Sequence, residues 1–205
     1  MLIEFTPTDW LIGIGLLVIL LPFLWQRKHS LAYLVFFSIF WLYLLAVVQA
    51  VVFPFAVGTS VSPAVFRPSL NLVPFYFGDC PAAPAFCARM TLESILDNIL
   101  LTLPFGFGIN FIRKVRPKAF LWLAPAVGCG CELAQLIISL VFKSGFRAVD
   151  INDAIFNTIG VLLGYALFRA FAWLFLQGTA RLTLSPRSLW SEIRTVALRA
   201  ESFKK

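Results

Sequence analysis

The sequence predicts an all-α integral membrane protein, built as a bundle of about five transmembrane helices. Hydrophobic residues make up 60% of the chain and charged residues 13%, whereas soluble domains average roughly 45–50% and 25%. Several apolar windows exceed the roughly 18 residues that indicate a spanning helix. A chain this apolar lacks the polar surface of a water-soluble domain, so the composition excludes that class.

The five predicted spans follow one another along the chain, covering residues 10–25, 31–53, 95–112, 119–142 and 150–176. Trp10 and Trp25 bracket the first span as interfacial anchors. A loop of about 40 residues begins at Pro54. Pro104 predicts a kink in the third span because proline removes a backbone hydrogen bond. Kinked spans often frame cavities, although helix packing alone would also explain this proline.

The basic residues indicate how the bundle is oriented. With five spans, 13 of the 17 Lys and Arg residues fall on the side that holds the C-terminus. Basic residues are enriched on the cytoplasmic side, so we expect the N-terminus outside and the C-terminus in the cytoplasm. The same clustering between apolar runs is typical of membrane orientation signals, and we expect no nucleic-acid partner.

The cysteines and the single histidine predict no cofactor and no metal site. Cys80 and Cys87 lie in the longest polar loop on the outer, oxidising side, where a disulfide is feasible but not required. Cys129 and Cys131 lie inside an apolar run and are interpreted as packing residues. His29 sits in a basic turn, so no cysteine pair has histidine-supported zinc spacing.

Residues 181–205 form a basic cytoplasmic tail that is distinct from the transmembrane domain of residues 1–180. Its apolar residues recur every three or four positions: Leu189, Ile193, Val196, Ala200 and Phe203. This spacing predicts an amphipathic interfacial helix that contacts anionic lipids of the inner leaflet. A partly disordered basic tail is the alternative.

Polar residues inside the spans concentrate in the outer half of the bilayer. Each ionisable group there costs about 2.5–3.5 kcal/mol on insertion scales, so such groups usually face a protein interior. Glu132 lies about ten residues, or roughly 15 Å, below the outer end of the fourth span. The others are Asp97 and Asn98 in the third span, Gln135 in the fourth, and Arg147, Asp150, Asp153 and Asn157 entering the fifth. We therefore expect a shared polar site.

Each of these residues also has a purely structural interpretation. Asp97 and Asn98, or Asp150 and Asn152, could cap helix starts. Arg147 could form a helix-end ion pair with Asp150. Gly160 and Gly164, which continue the polar stripe inward, are typical of close helix packing. Glu132 could form a buried structural hydrogen bond with Asn157 or Gln135.

Four blocks in order carry a resemblance to a known family: Arg67 with Asn71-Leu72-Val73-Pro74-Phe75; Asp97-Asn98-Ile99-Leu100 with Pro104-Phe105-Gly106; Glu132-Leu133-Ala134-Gln135; and Arg147, Asp150, Asp153, Asn157, Gly160 and Gly164. Over about residues 30–176 the chain resembles the VanZ-like family. That family is named for a membrane protein that accompanies glycopeptide-resistance genes and lowers sensitivity to teicoplanin. The first span, the Cys80–Cys87 loop and the basic tail depart from it.

The resemblance implies a multi-pass protein of the bacterial inner (cytoplasmic) membrane. The first hypothesis is that the outer polar site binds the headgroup of a lipid or lipid-linked envelope precursor and thereby affects sensitivity to teicoplanin-type glycopeptides. Arginine offers bidentate contact to phosphate or carboxylate, and the carboxylates hold it or contact sugar hydroxyls. The predicted ligand-binding residues are Arg67, Asn71, Asp97, Asn98, Glu132, Gln135, Arg147, Asp150, Asp153 and Asn157.

Two other functions are compatible with the same residues. A membrane-embedded hydrolase or transferase acting on envelope lipids could use Glu132 as acid or base. The chain lacks an obvious nucleophile with a histidine base, and a metal on Asp150, Asp153 and Glu132 has no diagnostic spacing. A proton-coupled transporter would be unusually small, and no inverted repeat is visible. The sequence predicts no oligomeric state.

Overall fold

The computed structural model describes residues 2–57, 69–143, 148–183, 185 and 188–202. Five helices within these residues are long and apolar enough to cross a membrane, which confirms the predicted all-α membrane bundle. The helices are α1 (Pro7–Gln26), α2 (Leu31–Val52), α3 (Pro84–Ile112), α4 (Phe120–Phe142), α5 (Ile151–Gly178) and α6 (Leu189–Glu201), with a 3₁₀ turn at Pro117–Ala119 before α4.

Side-chain caps mark the start of several helices. The Thr6 backbone N–H donates to Asp9 Oδ2 at 2.8 Å before α1, and Ser30 Oγ accepts from the Tyr33 N–H at 3.1 Å in α2. Asp150 caps α5. Such caps satisfy N–H groups that have no partner within the helix. The first residues of α1, α2 and α5 lie within a few residues of the predicted starts of the first, second and fifth spans.

The third span is longer than predicted. Helix α3 begins at Pro84 rather than near residue 95, with proline in its first turn, where its missing N–H is not needed. Hydropathy locates the part of a helix that lies in hydrocarbon, and α3 extends beyond it. Asp97 and Asn98 consequently lie well inside the helix, so their interpretation as helix-start caps is wrong. The helix continues through Pro104 to Ile112.

Two short strand pairs tie the loops together at the end of the bundle where α1, α3 and α5 begin. Strand β1 (Leu2–Ile3) pairs antiparallel with β2 (Phe55–Ala56). Strand β3 (Leu70–Asn71) pairs in parallel with β4 (Val149–Asp150). The second pair holds the 70–71 segment of the long loop against the start of α5.

Helix α5 is the centre of the bundle and packs against α3, α4 and α6. Glycines let α3 and α5 approach closely. A Cβ on Gly160 would overlap the Ile99 carbonyl oxygen, and one on Gly164 would overlap the Leu103 carbonyl oxygen. In return, Gly106 of α3 lies against the Val161 carbonyl. These three glycines are packing residues, as small residues at membrane helix interfaces usually are.

The predicted amphipathic helix of the tail is present as α6. Its apolar face packs on α5, where Val196, Ala197 and Ala200 contact Phe168 and Ala172. Ser30 Oγ, at the start of α2, donates to Glu192 Oε2 at 3.2 Å. Helix α6 therefore lies at the end of the bundle that carries the basic turns, and its most apolar face is covered by protein. Phe203 lies outside the described residues.

Replacing Gly160 with alanine is expected to destabilise the bundle. The new methyl group meets the α3 backbone, and overpacking of this kind costs about 1–3 kcal/mol. Gly130→Ala in α4 is the matched control, because a Cβ there has no neighbour within 4 Å. Thermal unfolding in detergent, followed by tryptophan fluorescence, should show a lower midpoint for Gly160→Ala alone. Equal midpoints for the two variants would contradict the close α3–α5 crossing.

Candidate functional site

A cavity of about 740 Å³ opens among α2, α3, α4 and α5. Most of the polar residues predicted from the sequence face it. Its lining comprises Ala50, Val51, Met90, Glu93, Ser94, Asp97, Asn98, Leu100, Leu101, Cys131, Glu132, Gln135, Asp153 and Asn157. We refer to this space as the acidic cavity.

The lining is rich in hydrogen-bond acceptors and negative charge. Four carboxylates face the cavity, from Glu93, Asp97, Glu132 and Asp153, and its described lining contains no lysine or arginine. Arg89 pairs with Glu93 at 2.7 Å, but its side chain is 76% exposed, so this pair is a surface contact. The negative potential favours ligand groups that donate hydrogen bonds, such as hydroxyls and ammonium groups.

A chain of side-chain hydrogen bonds joins α3 to α5 along the cavity wall. Asn98 Nδ2 donates to Asp153 Oδ1 at 2.8 Å, and Asn157 Nδ2 donates to Asn98 Oδ1 at 3.1 Å. An ionised carboxylate only accepts, so Asp153 fixes the orientation of both amides. Because Asn98 presents its oxygen to Asn157, the Asn157 amide donates through Nδ2, and its own Oδ1 atom remains as an acceptor. Among the residues described, Asn157 Oδ1 is the buried side-chain polar atom without a partner.

Thr102 reinforces the same wall from the side of α3. Its hydroxyl donates to the Asn157 carbonyl oxygen at 2.7 Å, a buried bond between the two helices. Thr102 and Asn157 are each only 1% exposed. The position of Asn157 is therefore set by the helix crossing, and its Oδ1 atom is buried without a partner among the described residues.

Glu132 connects the acidic cavity to the start of α5. Its side chain is buried, with 6% exposure, and its Oε2 atom accepts the Asp150 backbone N–H at 3.0 Å. One turn away, Gln135 Nε2 donates to the Val51 carbonyl oxygen at 3.3 Å and ties α4 to α2. A buried carboxylate held by a backbone N–H is a fixed hydrogen-bond acceptor at the cavity wall.

Beside the cavity, three side chains hold the 69–77 segment against α5; we call Asn71, Asp150 and Asn152 the asparagine clasp. Asn71 Nδ2 donates to Asp150 Oδ2 at 3.0 Å. Asn152 is 1% exposed and uses both ends of its amide. Its Oδ1 accepts the Phe75 N–H at 2.6 Å, and its Nδ2 donates to the Tyr76 carbonyl oxygen at 2.7 Å.

The residues predicted as ligand-binding thus divide into three groups. Six line the acidic cavity: Asp97, Asn98, Glu132, Gln135, Asp153 and Asn157. Two, Asn71 and Asp150, belong to the clasp, where their side chains form hydrogen bonds within the protein. Arg67 and Arg147 lie outside the described residues. The outer polar cluster is therefore a ligand-sized cavity with a structural clasp beside it.

Some lining residues were not in the predicted set. Glu93 is one of the acidic residues that the sequence draws toward this region, although hydropathy placed it and Ser94 just before the third span. Because α3 starts early, both lie on the helix, one turn before Asp97 and Asn98. Cys131, interpreted as a packing residue, also faces the cavity. The spacing of four residues between Glu93 and Asp97 would have placed both on one face, had the helix start been known.

The described residues include one disulfide and two free cysteines. Cys80 and Cys87 form a disulfide just before and within the first turn of α3. Cys129 and Cys131 are free thiols. Across the described ranges, no group of three or more His, Cys, Asp or Glu side chains is arranged to hold a metal ion.

The part of the chain that lines the acidic cavity is similar to known proteins. The sequence profile of the family described as VanZ/LLP1 matches residues 40–175. The protein called Protein VanZ from Enterococcus faecium is 33% identical over 104 residues, covering 49% of this chain and 52% of that protein. The match therefore spans about half the length of this curated relative. No solved structure matches the chain significantly.

Replacing Asn152 with alanine is expected to release the 69–77 segment from α5. The Phe75 N–H would lose its acceptor, and an unpaired amide costs about 1–3 kcal/mol. Hydrogen–deuterium exchange at Phe75 and Tyr76 should accelerate by about tenfold or more. Asn110→Ala is the control, because among the described residues the Asn110 side chain bonds to carbonyls of its own helix. Unchanged exchange in Asn152→Ala would show that the clasp does not hold the segment.

Proposed function

The chain belongs to the VanZ/LLP1 family, and on that premise we propose that its acidic cavity binds the polar headgroup of a membrane lipid or lipid-linked envelope precursor. The headgroup would be recognised through its hydroxyl or amino groups. Such donors match a wall of carboxylates and amide oxygens.

The observation that carries this proposal is a cavity lined by four carboxylates together with Asn157, whose Oδ1 atom is buried without a partner in the described part of the chain. A buried acceptor without a partner costs free energy, roughly 1–3 kcal/mol. A ligand hydroxyl or ammonium that donates to this oxygen would recover that energy. The nearby carboxylates of Asp97 and Asp153 would strengthen the interaction, because hydrogen bonds to charged acceptors are the stronger kind.

The surroundings of the cavity favour an amphiphilic ligand over a water-soluble one. Met90 and Leu100 line the cavity and are also 51% and 60% exposed on the outer surface of the bundle. Exposed apolar side chains on a membrane helix face lipid. A headgroup could therefore enter the cavity while its hydrocarbon chains remain beside α3.

In this proposal the acidic cavity opens at the outer face of the bacterial cytoplasmic membrane, with the N-terminus outside. The basic turns at the opposite end of the bundle support this orientation. By sequestering or presenting an envelope precursor there, the protein would alter sensitivity to teicoplanin-type glycopeptides, as the name-giving member of the family does.

Glu132→Gln tests the proposal with little change in shape. Glutamine keeps an oxygen for the Asp150 N–H but removes the charge from the cavity. Loss of one charged hydrogen bond weakens binding by about 1.5–3 kcal/mol, or roughly ten- to hundredfold. Mass spectrometry of lipids that co-purify with equal amounts of protein should show that loss, and teicoplanin sensitivity should shift with it.

Asp9→Asn is the matched control for this experiment. It removes one carboxylate near the same end of the bundle, where Asp9 bonds to Thr6, without touching the cavity lining. The control should leave both lipid retention and drug sensitivity unchanged. If Glu132→Gln behaves like the control in both measurements, the cavity does not bind the headgroup.

The buried position of Glu132 at the cavity wall favours one second candidate, a hydrolase or transferase that uses this carboxylate as acid or base. Purified protein incubated with labelled envelope lipids distinguishes the two functions. Turnover to a new product that Glu132→Gln abolishes would support catalysis. Stable retention of unchanged lipid by the wild-type protein would support binding alone.

A further inference from the structure

A second cavity lies at the other end of the bundle and has the opposite charge. Its volume is about 410 Å³, and it is enclosed by the α1–α2 turn, the end of α3 and helix α6. Its charged and titratable lining consists of Lys28, His29, Tyr33, Arg113, Lys114, Glu192 and Arg199. We call it the basic cavity. None of the residues assigned to the acidic cavity contributes to it.

The basic cavity carries a positive potential. At neutral pH the four cations Lys28, Arg113, Lys114 and Arg199 outnumber the single carboxylate, Glu192, of its described lining. Helix α2 also begins here with no acidic residue in its first turn, so its dipole adds to the positive field. His29 stacks on Tyr33 with ring centroids 4.3 Å apart, which holds its imidazole in place at the rim.

An apolar groove of about 520 Å³ adjoins the basic cavity. Phe111 lines both spaces, and the neighbouring residues Glu192 and Ile193 of α6 line the cavity and the groove respectively. The groove runs between α2 and α3 and is walled by Phe36, Ile39, Phe40 and Phe107. The Tyr43 hydroxyl in its wall donates to the Leu101 carbonyl oxygen at 2.8 Å, so the groove is apolar along its length.

We propose that the basic cavity and the adjoining groove form one binding site for an anionic phospholipid. The phosphate lies among Lys28, Arg113 and Arg199, and one acyl chain lies in the groove along α2 and α3. Basic pockets between transmembrane helices recognise anionic headgroups in this way. The groove identifies the ligand as a lipid, because a soluble phosphate compound would leave it unused.

The site also assigns a role to the tail. The apolar face of α6 is covered by α5, so the tail does not bind lipid by burying that face in the bilayer. Instead, α6 contributes Glu192 and Arg199 to the basic cavity and closes one side of it. The expected contact of the tail with anionic lipid becomes a discrete site shared with the α1–α2 turn and the end of α3.

The test measures retention of phosphatidylglycerol by delipidated full-length protein in detergent, by native mass spectrometry. The double variant Lys28→Gln, Arg113→Gln should bind it at least tenfold more weakly, because each basic residue near an anionic surface contributes about fivefold. The matched control is Arg116→Gln, Lys118→Gln. It removes the same charge from the adjacent turn but none from the cavity lining, and should change retention less than twofold. Equal losses in the two double variants would overturn the proposal in favour of a diffuse basic surface.

A variant that is expected to bind more lipid separates a specific effect on the site from a loss of folding, because a misfolded protein would not gain binding. Glu192→Gln keeps an acceptor for Ser30 but removes the negative charge, so phosphatidylglycerol retention should rise several-fold. Unchanged or weaker retention would overturn the proposal. Phosphatidylcholine should bind more weakly than phosphatidylglycerol, and millimolar inorganic phosphate should not displace the bound lipid. Displacement by phosphate alone, or equal binding of the two lipids, would also reject an anionic-phospholipid site.

Discussion

The close crossing of α3 and α5 determines where most of the polar side chains of this bundle lie. Gly106, Gly160 and Gly164 each face a backbone carbonyl of the opposite helix. The two backbones are therefore closer together than any larger residue at these positions would allow. At that separation the Asn98 and Asn157 side chains reach each other directly. Without the crossing, these amides would face hydrocarbon, where an unsatisfied polar group costs several kcal/mol.

The directions of the side-chain hydrogen bonds then give the cavity wall its acceptor character. Asp153 accepts a hydrogen bond from Asn98, and Asn98 in turn accepts one from Asn157. Asn157 ends this series of hydrogen bonds, and its own Oδ1 atom is an acceptor without a partner within the described ranges. The carboxylates of Asp97 and Glu132 face the same cavity. A wall of carboxylate and amide oxygens favours ligand groups that donate hydrogen bonds and disfavours anions. A hydroxyl- or amine-bearing headgroup satisfies both conditions.

Much of this arrangement follows from the sequence, because hydrocarbon enforces simple rules. Apolar length sets the spans, and the cost of buried charge draws Glu132, Asp153 and Asn157 to a common interior. The remainder depends on backbone geometry that composition does not report. Hydropathy could not place the start of α3 at Pro84, and so it left Glu93 in a loop. Nor could it separate Asn71 and Asp150, which form the clasp, from residues that line the cavity, since both groups are polar and lie at the same end.

The two cavities lie at opposite ends of the bundle and bear opposite charges, and helix α5 connects the elements that form them. Its first turns supply Asp153 and Asn157 to the acidic cavity, while its last turns hold α6 over the basic cavity through Phe168 and Ala172. In the proposed phospholipid site, the acyl chain would lie along α2 and α3, next to helices whose opposite ends frame the acidic cavity. Because Gly160 and Gly164 hold α5 closely against α3, the same pair of helices fixes the wall of the acidic cavity and supports the groove that adjoins the basic one.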